Sequence, residues 1–424
     1  MSRIAEALVP PRLGVGFRWL MASSWSSNLG DGIALAAGPL LVASLTRDAF
    51  LVALAATVQW VPPLLFGLLA GALTDRLDRR LIVLSVDLGR AAVLAVLTLA
   101  VVTDRVSIAV VLAALFVLAT AEVFADNSSQ TLLPMLVARE DLALANSRLQ
   151  TGFITVNQLA GPPIGAALFT AGAAWAFGVQ ALVVALGAVL VMRVALPAHP
   201  RDPERRPHLR HDIAEGFRWV RHHAAVRTLV LTIFTFNITF GAAWSVLVLY
   251  STQRLGLGEI GFGLVTTVTA VGGLAGTVCY GWITRRVSLG NLMRIGLIIE
   301  TLTHLALALT TSPWVAMPVF FAFGAHAFVW GTTSITVRQR AVPQALQGRV
   351  GSVNLVGVFG GLVIGSGIGG VLAQYLGVTA PFWFAFGGSA LFIVLIWRQL
   401  RHIAHADEQP QVPADDRADG RSAG

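Results

Sequence analysis

The sequence predicts an all-α polytopic membrane protein, with twelve transmembrane helices in two pseudo-symmetric six-helix bundles. Three observations carry that expectation. First, 55% of the 424 residues are hydrophobic and 12% are charged, with a mean hydropathy of +0.73, whereas a soluble domain carries about a quarter charged residues. Second, apolar runs recur at the length of a membrane span, about 20 residues. Third, those runs fall into two sets of six around one polar interruption. The 42 glycines suit close helix packing in lipid. A disulfide scaffold is excluded because Cys279 is the single cysteine.

The first run, 17–45, contains Asn28 and Asp31 and is too long for a cleavable signal, so it reads as a span. Runs at 49–73, 81–103, 107–130, 148–171 and 175–196 complete a first bundle over residues 1–196. Residues 197–226 read as a linker on the Arg-rich side. It is Pro-rich and extended at first, then a short amphipathic helix with Ile213, Phe217 and Val220 at helical spacing. Runs at 227–250, 260–284, 289–311, 314–337, 349–376 and 380–400 form a second bundle over 227–405, and the polar tail 406–424 reads as disordered.

All 30 basic residues are Arg, against 22 acidic, for a net charge of +8. Their distribution sets the orientation. Arg76, Arg79, Arg80, Arg139, Arg285, Arg286, Arg338 and Arg340 fall in loops on one side, and only Arg47, Arg105 and Arg254 on the other. By the positive-inside rule the Arg-rich side is cytoplasmic, so both termini lie inside a multi-pass protein of the cell (inner) membrane. The basic surplus is thus a topology signal, and no nucleic-acid partner is expected.

The two sets of runs repeat one another. Gly71-Ala72-Leu73-Thr74-Asp75-Arg76 ends the second run and Gly281-Trp282-Ile283-Thr284-Arg285-Arg286 ends the eighth; Gly161-Pro162-Pro163-Ile164-Gly165 in the fifth matches Gly365-Ser366-Gly367-Ile368-Gly369 in the eleventh. Both matches are displaced by six spans, which favours a duplicated transporter architecture.

Gly71-Ala72-Leu73-Thr74-Asp75-Arg76-Leu77-Asp78-Arg79-Arg80 resembles the loop signature Gly-x-Leu-x-Asp-Arg-x-Gly-Arg-Arg of the major facilitator superfamily, with Asp78 in place of the second glycine. The resemblance covers nearly the whole chain. It implies a gating motif in which Gly71 permits close helix approach, while Asp75, Arg76, Arg79 and Arg80 bridge the halves in one conformation and release in another. Asp75 would then face Gly348-Arg349-Val350-Gly351; an ordinary positive-inside loop is the competing reading. Gly161, Pro162, Pro163 and Gly165 partly match the antiporter motif of proton-coupled exporters, with Asn157 and Ala166 at glycine positions; a purely structural kink is the alternative. Asn28-Leu29-Gly30-Asp31, Asp87-Leu88-Gly89-Arg90 and Leu133-Pro134-Met135-Leu136-Val137 are similar to the branch holding siderophore exporters and macrolide-efflux permeases.

Ionisable side chains within spans are costly and therefore functional candidates. Asp31, near the middle of the first run, is the leading candidate for proton coupling, with Glu122 second. Glu122 and Asp126 lie one turn apart, as do Asp87 and Arg90, which suggests one buried charge network. Structural pairing and proton relay both fit it. Glu300 and His304 are also one turn apart, on a span that the resemblance assigns to the outer ring, where a structural pair is favoured. A central cavity would be lined by Trp25, Asn28, Gln59, Asn157, Phe236, Asn237, Phe240, Trp244, His326 and Trp330, an aromatic wall with sparse amides suited to an amphipathic ligand.

No catalytic constellation, metal site or cofactor is expected, since His spacing, thiols and phosphate-binding loops are all wanting. The expected partners are protons, the lipid bilayer and a small-molecule substrate such as a drug, antibiotic or siderophore, handled by a monomeric proton-coupled antiporter. Proton-coupled uptake, and a polytopic membrane enzyme or lipid-handling protein, are the alternatives.

Overall fold

In the computed structural model, residues 11–74, 77–195 and 209–399 are described, and among them every regular element is helical. Backbone polar groups in lipid must find partners within their own segment, which is what a helix provides. The first half contains α1 (Gly14–Leu45), α2 (Ala49–Thr74), α3 (Arg79–Val102) and α4 (Ile108–Leu136). Next comes α5, which runs as α-helix over Leu142–Gly152, π-helix over Phe153–Ala160 and α-helix again over Gly161–Ala171, and then α6 (Ala173–Val191). Helix α7 (Leu209–His222) precedes the second half. That half contains α8 (Ala224–Trp244), α9 (Glu259–Thr284), α10 (Leu289–Leu309), α11 (Pro313–Ala341), α12 (Gln347–Leu376) and α13 (Ala380–Ile396).

Ten of these helices, among the described residues, are long and apolar enough to cross a membrane, and α13 is a shorter apolar one. The predicted fifth span is the path divided by the π-helical stretch. Side chains start several helices. Asp48 accepts from the Phe50 and Leu51 amides at 2.9 and 3.2 Å, Ser107 caps α4 and Ser288 caps α10. Asp78, standing where the family signature has glycine, accepts from the amides of Arg80 and Leu81 at 2.9 and 3.3 Å and so caps α3.

The two halves share one packing plan. In the first, α1 packs on α5 and α6, α3 on α4 and α6, and α2 on α4; in the second, α8 packs on α12 and α13, α10 on α11 and α13, and α9 on α11. The halves meet through α2 with α12 and α5 with α9, contacts that the same six-helix displacement exchanges. Glycines seat the matching crossings. A Cβ on Gly32 would meet the backbone of Asn157 and Gly161, and one on Gly165 the Ile33 backbone; likewise Gly365 and Gly369 lie on the Ile238 and Ala242 backbones.

The two ends of the molecule differ. At the end near Arg47, Arg105 and Arg254, one hydrophobic core runs through both halves, joining Ile33, Leu41, Val52 and Phe177 to Val246, Tyr250, Phe262 and Phe382. Toward the Arg-rich end the cores are separate: Leu13, Phe17, Val83, Leu132 and Val191 in one half, Leu229, Ile233, Met293 and Leu297 in the other. The α2–α12 seam runs from the Ala49 amide on Gln374 Oε1 (2.9 Å) as far as Gly67 against Leu355. A Cβ on Gly71 would meet nothing within 4 Å, so the close approach expected there is not made in this conformation. The halves are sealed at one end and parted at the Arg-rich end.

Candidate functional site

The first half concentrates its interior charge where α1, α3 and α4 converge. Arg90 is buried, and its Nη1 pairs with Asp87 Oδ1 at 3.0 Å one turn away on α3. Its Nη2 pairs with the Asp31 carboxylate of α1. Ser27, one turn before Asp31, donates to Asp87 Oδ2 at 3.0 Å, so α1 grips α3 twice. Glu122 and Asp126 stand one turn apart on α4, which packs against α3. Asp126 keeps an exposed surface. Two carboxylates thus hold one guanidinium, with two more on the adjoining helix α4.

The π-helical turn of α5 lies beside this cluster. Asn157 is buried there and its Nδ2 donates to the Asn28 carbonyl at 3.3 Å, while Asn28 Nδ2 donates to the Ser24 carbonyl at 2.7 Å. Pro162 and Pro163 follow directly; neither has an N–H, so the helical bond that Pro163 would give Leu159 is lost. The Leu159 carbonyl instead accepts from Thr267 Oγ1 of α9, at 3.2 Å across the boundary between halves. Gly263 of α9 lies against Pro162 and Ala166. The Gly161–Gly165 segment therefore does two things: its glycines seat α5 on α1, and its prolines open a carbonyl to the opposite half.

The remaining predicted lining residues divide. Trp25 lies over Gly152, where a Cβ would collide with the indole, and its Nε1 has no hydrogen-bond partner. Gln59 returns its amide to the Ala55 carbonyl at 3.0 Å, and Asn237 returns its own to Ile233 at 2.7 Å. Phe236 is buried edge-on against Phe392 within the second half. Phe240 and Trp244 stack at 4.5 Å and both pack on Phe323, which in turn meets His326. Trp330 fills the notch at Gly296 beside His326. Two groups form from this set: Asn28 and Asn157 beside the charge cluster, and Phe240, Trp244, His326 and Trp330 in an aromatic group of the second half.

Arg79 and Arg80 of the predicted gate bind their own half. Arg79 Nη1 contacts Met135 Sδ at 3.0 Å and Arg80 Nη1 donates to the Val194 carbonyl at 3.2 Å. Asp75 and Arg76 lie outside the described residues. Arg349, on the segment expected to face Asp75, pairs through Nη1 with Glu215 Oε1 of α7 at 2.6 Å, and Gly216 presses on the Arg349 backbone. In α7, Val220 is buried and Phe217 exposed, and the Ile213 side chain lies outside those described. Sequence reading misses Ser27, Thr267 and Glu215. Ser27 is within its reach, because it stands one turn from Asp31 on the same face.

Residues 5–419 match the transmembrane secretion effector family, a branch of the major facilitator superfamily. Among relatives, the multidrug efflux pump Tap of Mycolicibacterium fortuitum is 29% identical over 391 residues, covering 86% of this chain and 90% of that one. The enterobactin exporter EntS of Escherichia coli (strain K12) is 26% identical over 421 residues, covering 94% and 95%. Among solved structures, the nucleoside transporter NupG superposes with a TM-score of 0.69 at 12% identity, covering 92% of this chain and 99% of that one. A bacterial homologue of the iron transporter ferroportin gives 0.69 in its inward-facing state and 0.59 in its outward-facing state, each at 18% identity and covering 93% and 99%. The chain is a multi-pass, non-enzymatic membrane transporter, and it belongs to the transmembrane secretion effector family of the major facilitator superfamily.

Proposed function

We propose that this transporter is a proton-coupled exporter of a small amphipathic molecule, an antiporter working by alternating access in the cell (inner) membrane. The observation that carries the reading is the buried guanidinium of Arg90 held by Asp31 and Asp87, with Glu122 and Asp126 on the adjoining helix α4. The efflux and export functions named for Tap and EntS support the direction.

In this cycle the six-helix halves, 1–196 and 227–405, rock as units joined by 197–226, with both termini and the tail 406–424 in the cytoplasm. The form described here is then open to the cytoplasm. Asp31, held by Arg90, gives up its proton inward. Substrate enters between the halves beside Asn28, Asn157 and the Phe240–Trp244 group. The Gly71–Arg80 motif closes the cytoplasmic side in the alternate state, and a proton from outside displaces substrate. One pH unit across the membrane supplies ~1.4 kcal/mol per proton, about a tenfold gradient of a neutral substrate at one-to-one exchange.

The test uses inverted membrane vesicles. Acidifying their interior should drive accumulation of a compound that cells carrying the protein tolerate better than cells lacking it, and Asp31→Asn should abolish that drive. Accumulation under the opposite gradient would establish uptake, and proton-driven accumulation by Asp31→Asn would remove Asp31 from coupling.

A further inference from the structure

The second half holds a second buried polar cluster, which borders the Phe240–Trp244 group through His304 and His326 and to which the cycle above assigns no proton. Glu300 and His304 lie on α10, and His326 reaches in from α11. His304 Nε2 is 3.9 Å from Glu300 Oε1, and His326 Nε2 is 3.9 Å from Glu300 Oε2, so one carboxyl sits between two imidazoles. His304 is wholly buried and His326 nearly so. All four of their ring nitrogens lack a hydrogen-bond partner in the protein. Buried polar atoms are nearly always paired, because an unpaired one has lost its water without gaining a partner. Aromatic rings enclose the group: Trp244 meets His304 edge-on at 6.0 Å, and Phe323 meets His326 at 5.6 Å.

The internal repeat places this cluster. The register that pairs Gly71 with Gly281, and the cap Asp78 with the cap Ser288, pairs Arg90 with Glu300 and Leu94 with His304. Counting from the caps Ser107 and Ser312, His326 stands one position from the counterpart of Glu122. The second half therefore repeats the position of the first charge cluster with the signs exchanged, an acid among bases where the first has a base among acids.

We infer that Glu300, His304 and His326 form a second proton-binding site, in which the proton rests on the Glu300 carboxyl and is passed to an imidazole when the helices shift. The groups facing Glu300 are few. His304 comes from its own helix and His326 from α11, and α13, packed against α10, contributes no ionisable side chain over Ala380–Ile396. Among the described residues no arginine pairs with Glu300, and no cluster is arranged to hold a metal ion. Protonated, Glu300 is neutral and stands in an apolar surround without a counter-ion. When the proton leaves its oxygen for Nε2 of His304 or His326, carboxylate and imidazolium arise together, and closing the 3.9 Å gap by about an ångström would make a charge-assisted hydrogen bond. The proton count is unchanged within the cluster until the imidazolium releases to solvent.

The role of the site in transport rests on the proton-coupled reading above, but proton binding itself is tested without transport. In lipid-reconstituted protein, the infrared carbonyl stretch of protonated carboxyls is titrated in deuterated buffer across the neutral range. The double variant Asp31→Asn, Glu122→Gln should keep a protonated-carboxyl component that Glu300→Gln removes from the wild-type spectrum, and His326→Asn should move its midpoint. If Glu300→Gln leaves the absorption intact, Glu300 holds no proton and the site is overturned. Should Glu300→Gln not elute as folded protein, His326→Asn carries the test, and an unmoved midpoint overturns the site. Under the coupled reading, limiting accumulation per pH unit in vesicles at clamped potential falls from about 100-fold to about 10-fold in Glu300→Gln. Loss of gradient response in Asp31→Asn beside a limit of about 10-fold in both the wild type and Glu300→Gln would reject the second site and leave the first reading standing.

Discussion

Arg90 and Glu300 occupy corresponding places in the two halves, yet they are housed differently. Arg90 is held by two carboxylates, with a serine of α1 bracing one of them, and Asp126 on the adjoining α4 keeps an exposed surface. Glu300 has two imidazoles at 3.9 Å and a sheath of aromatic rings. A permanently charged guanidinium needs countercharge wherever it is buried, whereas a carboxyl can become neutral by taking a proton. Duplication thus supplied one scaffold and the side chains gave it two electrostatic answers, one built of ion pairs and one of exchangeable protons.

The largest effect that sharpens this contrast is on stability. Arg90→Met should leave Asp31 without its counter-ion and Asp87 with only the Ser27 hydroxyl, and destabilise the protein by about 3–5 kcal/mol, the cost of breaking a buried pair from one side. Glu300→Met, which removes an acid with no fixed counter-ion, should be close to neutral. Thermal unfolding of both purified variants checks this, and equal losses would erase the distinction between the clusters.

Next in size come the helix crossings that hold each cluster in place. Gly32→Val and Gly365→Val drive a side chain into backbone on the α1–α5 and α8–α12 seams, so each should cost upwards of about 1–3 kcal/mol. Gly71→Ala and Gly89→Ala meet open space and should be neutral or gain up to ~1 kcal/mol of helix propensity. For Gly71 the outcome depends on conformation. If α2 closes on the second half in the alternate state, Gly71→Ala should preserve stability while slowing transport, a split that unfolding and flux measured together would reveal.

How far these features are legible from sequence depends on what periodicity reports. Apolar runs set the spans, and the shared displacement of Gly71–Arg76 and Gly161–Gly165 reveals the duplication, because composition and order are enough for both. Spacing along one helix also pairs Asp87 with Arg90 and Glu300 with His304. It does not tell which neighbouring helix a face meets. Consequently His326 reads in sequence as a cavity lining residue rather than a neighbour of Glu300, and Trp25 gives no hint that it rests on Gly152. The parting of the halves at the Arg-rich end is illegible for another reason: one sequence encodes both conformations, and nothing in its pattern selects between them.

Two smaller tests address the contacts between moving parts. Thr267→Val removes the hydroxyl that serves the Leu159 carbonyl, a cross-half hydrogen bond worth about 1 kcal/mol, and should shift the balance between open and closed forms by about fivefold. Spin-label distances across the Arg-rich end, with and without the substitution, measure that shift; no change would mean that the bond forms equally in both states.

The smallest effect is expected at α7. Glu215 pairs with Arg349 at 2.6 Å, but both side chains are 34% exposed, so the pair contributes only about 0–1 kcal/mol. Its consequence is directional. Arg349 stands on the segment that the family resemblance sets opposite Asp75, so while Glu215 holds it, one partner of the closing motif is engaged elsewhere. Glu215→Gln should therefore favour the form closed at the Arg-rich end, by less than about fivefold, and Asp75→Asn should cancel that gain. The same spin-label distances report both variants. A Glu215→Gln shift that survives Asp75→Asn would show that α7 acts through the Gly216 contact instead, because that backbone packing is unaffected by the charge on either acid.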